Sequence, residues 1–199
     1  MSEQPSKRLN VQSFQKAKKG NYYCGDSYFY KETEDAFVCA LADGLGSGEL
    51  AMDSSKAVIK TIEDNPELEI EPLINKCNES LAGKRGVVLG ILRIEFKSNT
   101  YSYSSIGNIG IMMITGDGVK KRNIPQAGYL SGFPRKLGIM RGTLTPNMMF
   151  IMFSDGVDDR QLSSGLFKNG DPSRIIDQFK NDNAKLRQDD TTLIAIKYD

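Results

Sequence analysis

The chain has 199 residues, a net charge of +1, and 39% hydrophobic and 26% charged side chains. That composition argues against disorder, and the charge argues against a polyanion partner such as nucleic acid. There is no histidine, which removes Ser-His-Asp and Cys-His hydrolases, HExxH zinc sites and zinc deaminases. Any hydrolysis must rest on carboxylates, lysines, arginines or bound metal.

The length suits one domain, expected over residues 10–199 behind a flexible tail at 1–9. Three cysteines, Cys24, Cys39 and Cys77, form no C-x-x-C pair and fit a reducing compartment. No stretch approaches the ~20 apolar residues of a membrane helix, and the first ten residues lack a signal-peptide core. A cytoplasmic protein is the expectation.

In chain order, Val11 to Lys18 reads as a lysine-protected edge strand, and Gly20-Asn21 as a turn. Tyr22 to Tyr30 reads as two aromatic strand pieces around Gly25-Asp26. Ala36 to Ala42 is nearly continuously apolar, as a strand covered on both faces should be. It ends in Asp43-Gly44, inside the glycine-rich run Gly44-Leu45-Gly46-Ser47-Gly48. A helix follows, with Leu50, Ala51, Ser54, Ser55, Val58, Ile59 and Ile62 on one face. Asn65-Pro66 breaks it.

A second helix is expected from Pro72, with Ile74, Cys77 and Leu81 as its stripe and Gly83 as its stop. From Gly86 the period becomes two. Val88 to Phe96, Tyr101 to Ile106, Ile109 to Ile114 and Val119 to Ile124 read as an antiparallel meander, with Gly116-Asp117-Gly118 as one hairpin turn. Residues 125–147 read as a long loop with at most short strands, of a length that is usually functional or mobile. Met148 to Phe153 is another apolar strand, ending in Ser154-Asp155-Gly156. Asp171-Pro172 caps a helix that buries Ile175, Ile176 and Phe179. Asp189-Asp190 leads into a last strand, Thr191 to Lys197.

Four acidic sites therefore fall at strand edges: Asp26, Asp43, Asp155 and Asp189-Asp190. Carboxylates brought together raise one another's pKa unless a cation neutralises them. Oxygen ligands without histidine or cysteine favour Mg²⁺ or Mn²⁺, and a pair of such ions suits phosphoryl transfer. Taken singly, each Asp-Gly is an ordinary turn. The glycine run before a helix also admits a phosphate-cradling nucleotide loop, but it lacks the G-x-G-x-x-G spacing and the Walker lysine.

In conjunction, Ala42-Asp43-Gly44-Leu45-Gly46-Ser47-Gly48, Phe153-Ser154-Asp155-Gly156 and Asp189-Asp190-Thr191-Thr192 resemble the motif set of the PPM-type metal-dependent protein serine/threonine phosphatases. Cys24-Gly25-Asp26-Ser27 resembles the first acidic motif of that family. The likeness runs in order from about Gly20 to Lys197, and is greatest to the short bacterial branch of stress and sporulation phosphatases.

The resemblance implies an α+β fold, a four-layer α-β-β-α sandwich of two antiparallel sheets flanked by helices. It implies two divalent cations, Mn²⁺ or Mg²⁺. Asp43 would bridge both, and the Gly44 carbonyl and Asp26 would serve the second. Asp155 and Asp189 would hold the first. Asp190 stands where many members have Asn and would lie behind the ligands. Asp158 and Asp159 read as solvated helix-start residues, with metal contact as the lesser alternative. The implied substrates are phosphoserine or phosphothreonine on stressosome scaffold proteins and their STAS-domain relatives, dephosphorylated by a monomer without nucleic acid or membrane. The loop from Pro125 to Asn147 would shape that choice.

Two departures stand out. Larger members carry a histidine two residues after the Asp-Gly pair as general acid; this chain has Leu45 next and no histidine anywhere. They also carry an arginine before the first acidic motif to hold phosphate, where this chain offers Lys16, Lys18 and Lys19. Arg85, Arg135 and Arg141 are the candidates to replace it, each also readable as a surface charge. These gaps leave open an inactive phosphatase-like module that only binds a phosphorylated partner.

Overall fold

The computed structural model describes residues 8–163, 165–182 and 189–199. Among these residues, ten strands form two five-stranded sheets. In chain order they are β1 (Leu9–Lys16), β2 (Asp26–Glu32), β3 (Ala36–Gly44), β4 (Val87–Glu95), β5 (Thr100–Ile106), β6 (Gly110–Ile114), β7 (Lys120–Arg122), β8 (Met140–Thr143), β9 (Met149–Phe153) and β10 (Thr191–Tyr198). One sheet runs β1-β10-β9-β6-β7 and the other β2-β3-β4-β5-β8, all pairs antiparallel. The helices are α1 (Glu49–Asp64), α2 (Ile70–Glu79), α3 (Asp159–Ser163) and α4 (Pro172–Asp182), with a 3-10 turn at Gly165–Asn169.

The layers follow from alternation along the strands. In β3, Phe37, Cys39 and Leu41 enter the core between the sheets, while Val38, Ala40 and Ala42 pack under α1 and α2. In β9 and β10, Phe150, Met152, Ile194 and Ile196 face the same central core, while Ile151, Phe153, Leu193 and Ala195 pack under α4. A strand apolar on both faces is thus a strand covered twice. Each fully buried Leu, Ile or Phe contributes roughly 1.5–3 kcal/mol, so these three cores dominate the stability. The arrangement is the four-layer α-β-β-α sandwich expected. Among the described residues no helix is long and apolar enough to cross a membrane.

Several local expectations are corrected. The run from Val88 to Ile124 is not one meander: β4 and β5 pair in one sheet, while β6 pairs with β7 and β9 in the other. The turn at Gly107, with φ of 84°, carries the chain across the sandwich between them. The aromatic stretch forms one strand, beginning at Asp26, and Tyr22 and Tyr23 lie before it in bends. Leu50 is 59% exposed rather than in the buried stripe of α1, because Ala51 already sits against Gly44 at the end of β3 and Leu50 projects past the sheet. The second helix starts at Ile70, two residues before Pro72. β1 starts at Leu9, which is 3% exposed; the rest of the expected tail, 1–7, lies outside the described residues.

Candidate active site

The acidic motifs meet at one end of the sandwich. Asp26 opens β2 and Asp43 closes β3, and the two are direct cross-strand partners, so their side chains share a face. From the other sheet, Asp155 lies just beyond β9 and Asp189-Asp190 immediately before β10. The sheets are tied together on Asp26 itself: the hydroxyls of Ser154 and Thr192 each donate to Asp26 Oδ2 at 2.7 Å. Asp26 is 3% exposed, and its Oδ1 is buried with no hydrogen-bond partner.

Asp190 is held differently. Its two oxygens accept the backbone N–H groups of Lys18 and Gly25, each at 2.7 Å. Both lie on the segment leading into β2, so Asp190 fixes the approach to Asp26. A methyl placed on Gly25 would stand 3.0 Å from Asp190 Oδ2 and 3.5 Å from Asp43 Oδ1, which shows how closely the carboxylates flank that glycine. Asp189 is exposed, and its Oδ1 accepts the Asp190 N–H at 3.0 Å. Asn108 Nδ2 donates to Asp155 Oδ2 at 2.6 Å.

Both Asp-Gly pairs need their glycine for close approach. A methyl on Gly44 would run into the carbonyl of Ala51, and one on Gly156 into the carbonyl of Asp190. The first contact lets α1 press against the end of β3. The second lets β10 enter beside the turn after β9.

The electrostatics follow from packing acids together. Asp43 is pushed up from 3.8 to about 8, first by burial and then by Asp26, Asp155, Asp189 and Asp190. Asp26 rises to about 6 through burial, opposed by its bonds from Thr192 and Ser154. Asp155, at the mouth, is raised by partial desolvation and by Asp189, against the Asn108 hydrogen bond. Among the described residues no three acidic or cysteine side chains stand close enough to enclose a metal ion as they are, so closing round one takes side-chain rotation. The donor set nevertheless fits a hard divalent cation: it is all oxygen, it carries unrelieved negative charge, and it keeps a buried carboxylate oxygen unbonded.

The other candidates separate clearly. Arg85 is exposed and lies over Gly46, with Nη1 3.5 Å from the Leu45 carbonyl, on the loop that follows Asp43-Gly44. Arg135 donates to the Ala127 carbonyl at 2.5 Å, and Arg141 lies on the edge strand β8. Lys16 ends β1, and Lys18 reaches the site through its backbone alone among the contacts seen. Asp158 accepts the Arg160 N–H at 2.8 Å at the start of α3; the side chain of Asp159 lies outside the described residues. Sequence reasoning assigned no role to Ser154, Thr192 or Asn108. The available signal was position: a hydroxyl directly before Asp155-Gly156 and another two residues after Asp190.

The fold is that of the PPM-type phosphatases, and comparison with known proteins agrees. Residues 33–199 match the family model for stage II sporulation protein E, SpoIIE, and the chain belongs to that family of phosphatases. It is 35% identical over 181 residues to the phosphoserine phosphatase RsbX of Bacillus subtilis (strain 168), covering 91% of this chain and 90% of the relative. The structure of RsbX in complex with magnesium superposes with a TM-score of 0.86 at 32% identity, over 96% of each chain. A chain described with the bacterial stressosome, as a modular system adapted to control secondary messenger signalling, superposes at 0.81 with 22% identity, over 96% of this chain and 100% of that one.

Proposed function

We propose that the chain from Leu9 onward acts as one cytoplasmic phosphatase domain that hydrolyses phosphoserine or phosphothreonine on stressosome-type, STAS-domain regulatory proteins. The likeness to RsbX and to the stressosome chain supports the substrate. The site supports the chemistry, and one observation carries it: Asp26, Asp155, Asp189 and Asp190, from the two sheets, lie near enough to Asp43 to oppose its charge, beside a buried Asp26 oxygen with no partner.

In this reading Asp26, Asp43, the Gly44 carbonyl, Asp155 and Asp189 would hold two divalent ions, Mg²⁺ or Mn²⁺, with Asp43 shared between them, Asp26 and Gly44 on one side and Asp155 and Asp189 on the other. When bound, such ions lower the pKa of a water and neutralise charge on the phosphoryl oxygens. The chain's own work is placement. Ser154 and Thr192 fix one oxygen of Asp26 and leave the other without a hydrogen-bond partner. Asp190 holds the chain leading into β2, and Asn108 holds Asp155. With no imidazole in the chain, the proton for the departing serine or threonine oxygen comes from water or is weakly needed.

The test is release of phosphate from a phosphoserine STAS-domain protein, with and without Mn²⁺, repeated with Asp43→Asn. Mn²⁺-dependent release, reduced about a hundredfold or more in the variant, is expected. Equal rates in the two proteins would end the proposal.

A further inference from the structure

The loop between β1 and β2 is fastened at both ends to the carboxylate site. The Lys18 N–H at one end and the Gly25 N–H at the other each donate to an oxygen of Asp190 at 2.7 Å. Only a carboxylate accepts at both oxygens; an amide would turn its own donor toward one of those N–H groups. The Gly25 carbonyl in turn accepts the Gly44 N–H at 3.2 Å, so this glycine is also bonded to the chain just after Asp43. Between the two fastenings the backbone turns sharply. The Asn21 N–H reaches the Lys18 carbonyl at 3.0 Å, and Gly20 has a φ of 85°.

The crown of this loop is aromatic and open. Tyr22 is 92% exposed and Tyr23 37%, and their rings meet edge to face with centroids 5.2 Å apart. Neither ring belongs to any of the three apolar cores, so core packing does not account for the pair. The exposed Leu50 starts from the same wall, since its neighbour Ala51 has its Cβ 3.7 Å from where a methyl on Gly25 would stand. A loop held at both ends has little conformational entropy left to lose on binding. Tyrosine rings add a large contact area with few rotatable bonds.

Position favours one occupant. Tyr23 is two residues from Gly25, hence within about 8 Å of it along the chain, and a methyl on Gly25 would stand 3.5 Å from Asp43 Oδ1. An extended peptide advances about 3.3 Å per residue. A phosphoserine at the carboxylates therefore brings side chains two or three residues away from it within reach of the rings. We propose that Tyr22 and Tyr23 form a substrate-binding rim that takes an apolar side chain of the phosphoprotein, about two or three residues from the phosphoserine. The proposal rests on the phosphoprotein phosphatase reading above.

The experiment follows Mn²⁺-dependent phosphate release by the full chain from O-phosphoserine and from two phosphoserine peptides. One peptide carries glycine, the other leucine, at the second and third positions on either side of the phosphoserine. Two double variants accompany the wild type: Tyr22→Ser with Tyr23→Ser, and Tyr22→Phe with Tyr23→Phe. Wild type is expected to favour the leucine peptide about tenfold in kcat/KM, chiefly through KM. The serine variant is expected to lose that preference while turning over O-phosphoserine as wild type does, and the phenylalanine variant to keep it. Absence of the preference in wild type overturns the rim, as does its survival in the serine variant or its loss in the phenylalanine variant. A loss of equal size on O-phosphoserine also overturns it, because the loop would then act only as a support of the carboxylates. Wild-type self-association, or sedimentation with phosphatidylserine vesicles, abolished in the serine variant without any change in peptide preference, would reassign the rings to a second copy or a membrane. Absence of Mn²⁺-dependent turnover of all three substrates by wild type overturns the phosphatase reading and the rim with it, a pattern distinct from the others.

Discussion

Asp43 holds a proton near neutrality because burial and four neighbouring acids oppose its charge. The consequence for stability has a definite sign. A carboxylate with a folded pKa of about 8, against an ordinary 3.8, binds a proton that the unfolded chain has released. Its contribution is full below the unfolded value and is lost as pH rises to the folded one. Asp26, at about 6, completes its loss earlier. Because the chain has no histidine, the window from about pH 6 to about pH 8 is left chiefly to Asp43. The metal-free protein should therefore melt at progressively lower temperature across that window, and Asp43→Asn should flatten the decline. Thermal melts in chelator check this, and an unaltered slope in the variant would contradict it. In the proposed site, Mn²⁺ must also displace that proton, so calorimetry in buffers of different ionisation enthalpy should record proton release at neutral pH.

At the scale of elements, the glycines after Asp43 and Asp155 do structural work. Gly44→Ala must push α1 away from the end of β3, because the obstructing atom is the backbone carbonyl of Ala51 and not a movable side chain. A loss of about 1–3 kcal/mol is expected in denaturant unfolding; an unchanged midpoint would show that α1 yields freely. The sequence made these motifs readable because strand end, aspartate and glycine are local signals. It also showed β3, β9 and β10, whose apolar runs have length and pattern. The division of β5 and β6 between sheets was not readable, because Gly107-Asn108 looks like any hairpin turn and the choice of partner is made by distant strands. Nor were the hydroxyls of Ser154 and Thr192 as supports of Asp26, since nothing within either motif points 128 or 166 residues back along the chain.

Across the whole molecule, the two sheets meet where their acids meet. The Ser154 and Thr192 hydroxyls join the end of one sheet to the first residue of β2 in the other, so inter-sheet packing and site geometry are one problem. Removing both hydroxyls, with Ser154→Ala and Thr192→Val, leaves the Asp26 carboxylate without its hydrogen bonds. Mn²⁺ affinity is then expected to fall roughly ten- to hundredfold, as read by calorimetry, while the apolar layers remain; an unchanged affinity would separate Asp26 from the metal. The central claim is that carboxylates from both sheets close on shared divalent cations. Anomalous diffraction from crystals soaked in Mn²⁺ tests it most directly. The account predicts Mn²⁺ peaks within about 2.5 Å of Asp43 oxygens, with carboxylates of the second sheet among the other ligands. Mn²⁺ bound elsewhere, or carboxylates left apart at saturating Mn²⁺, would contradict it.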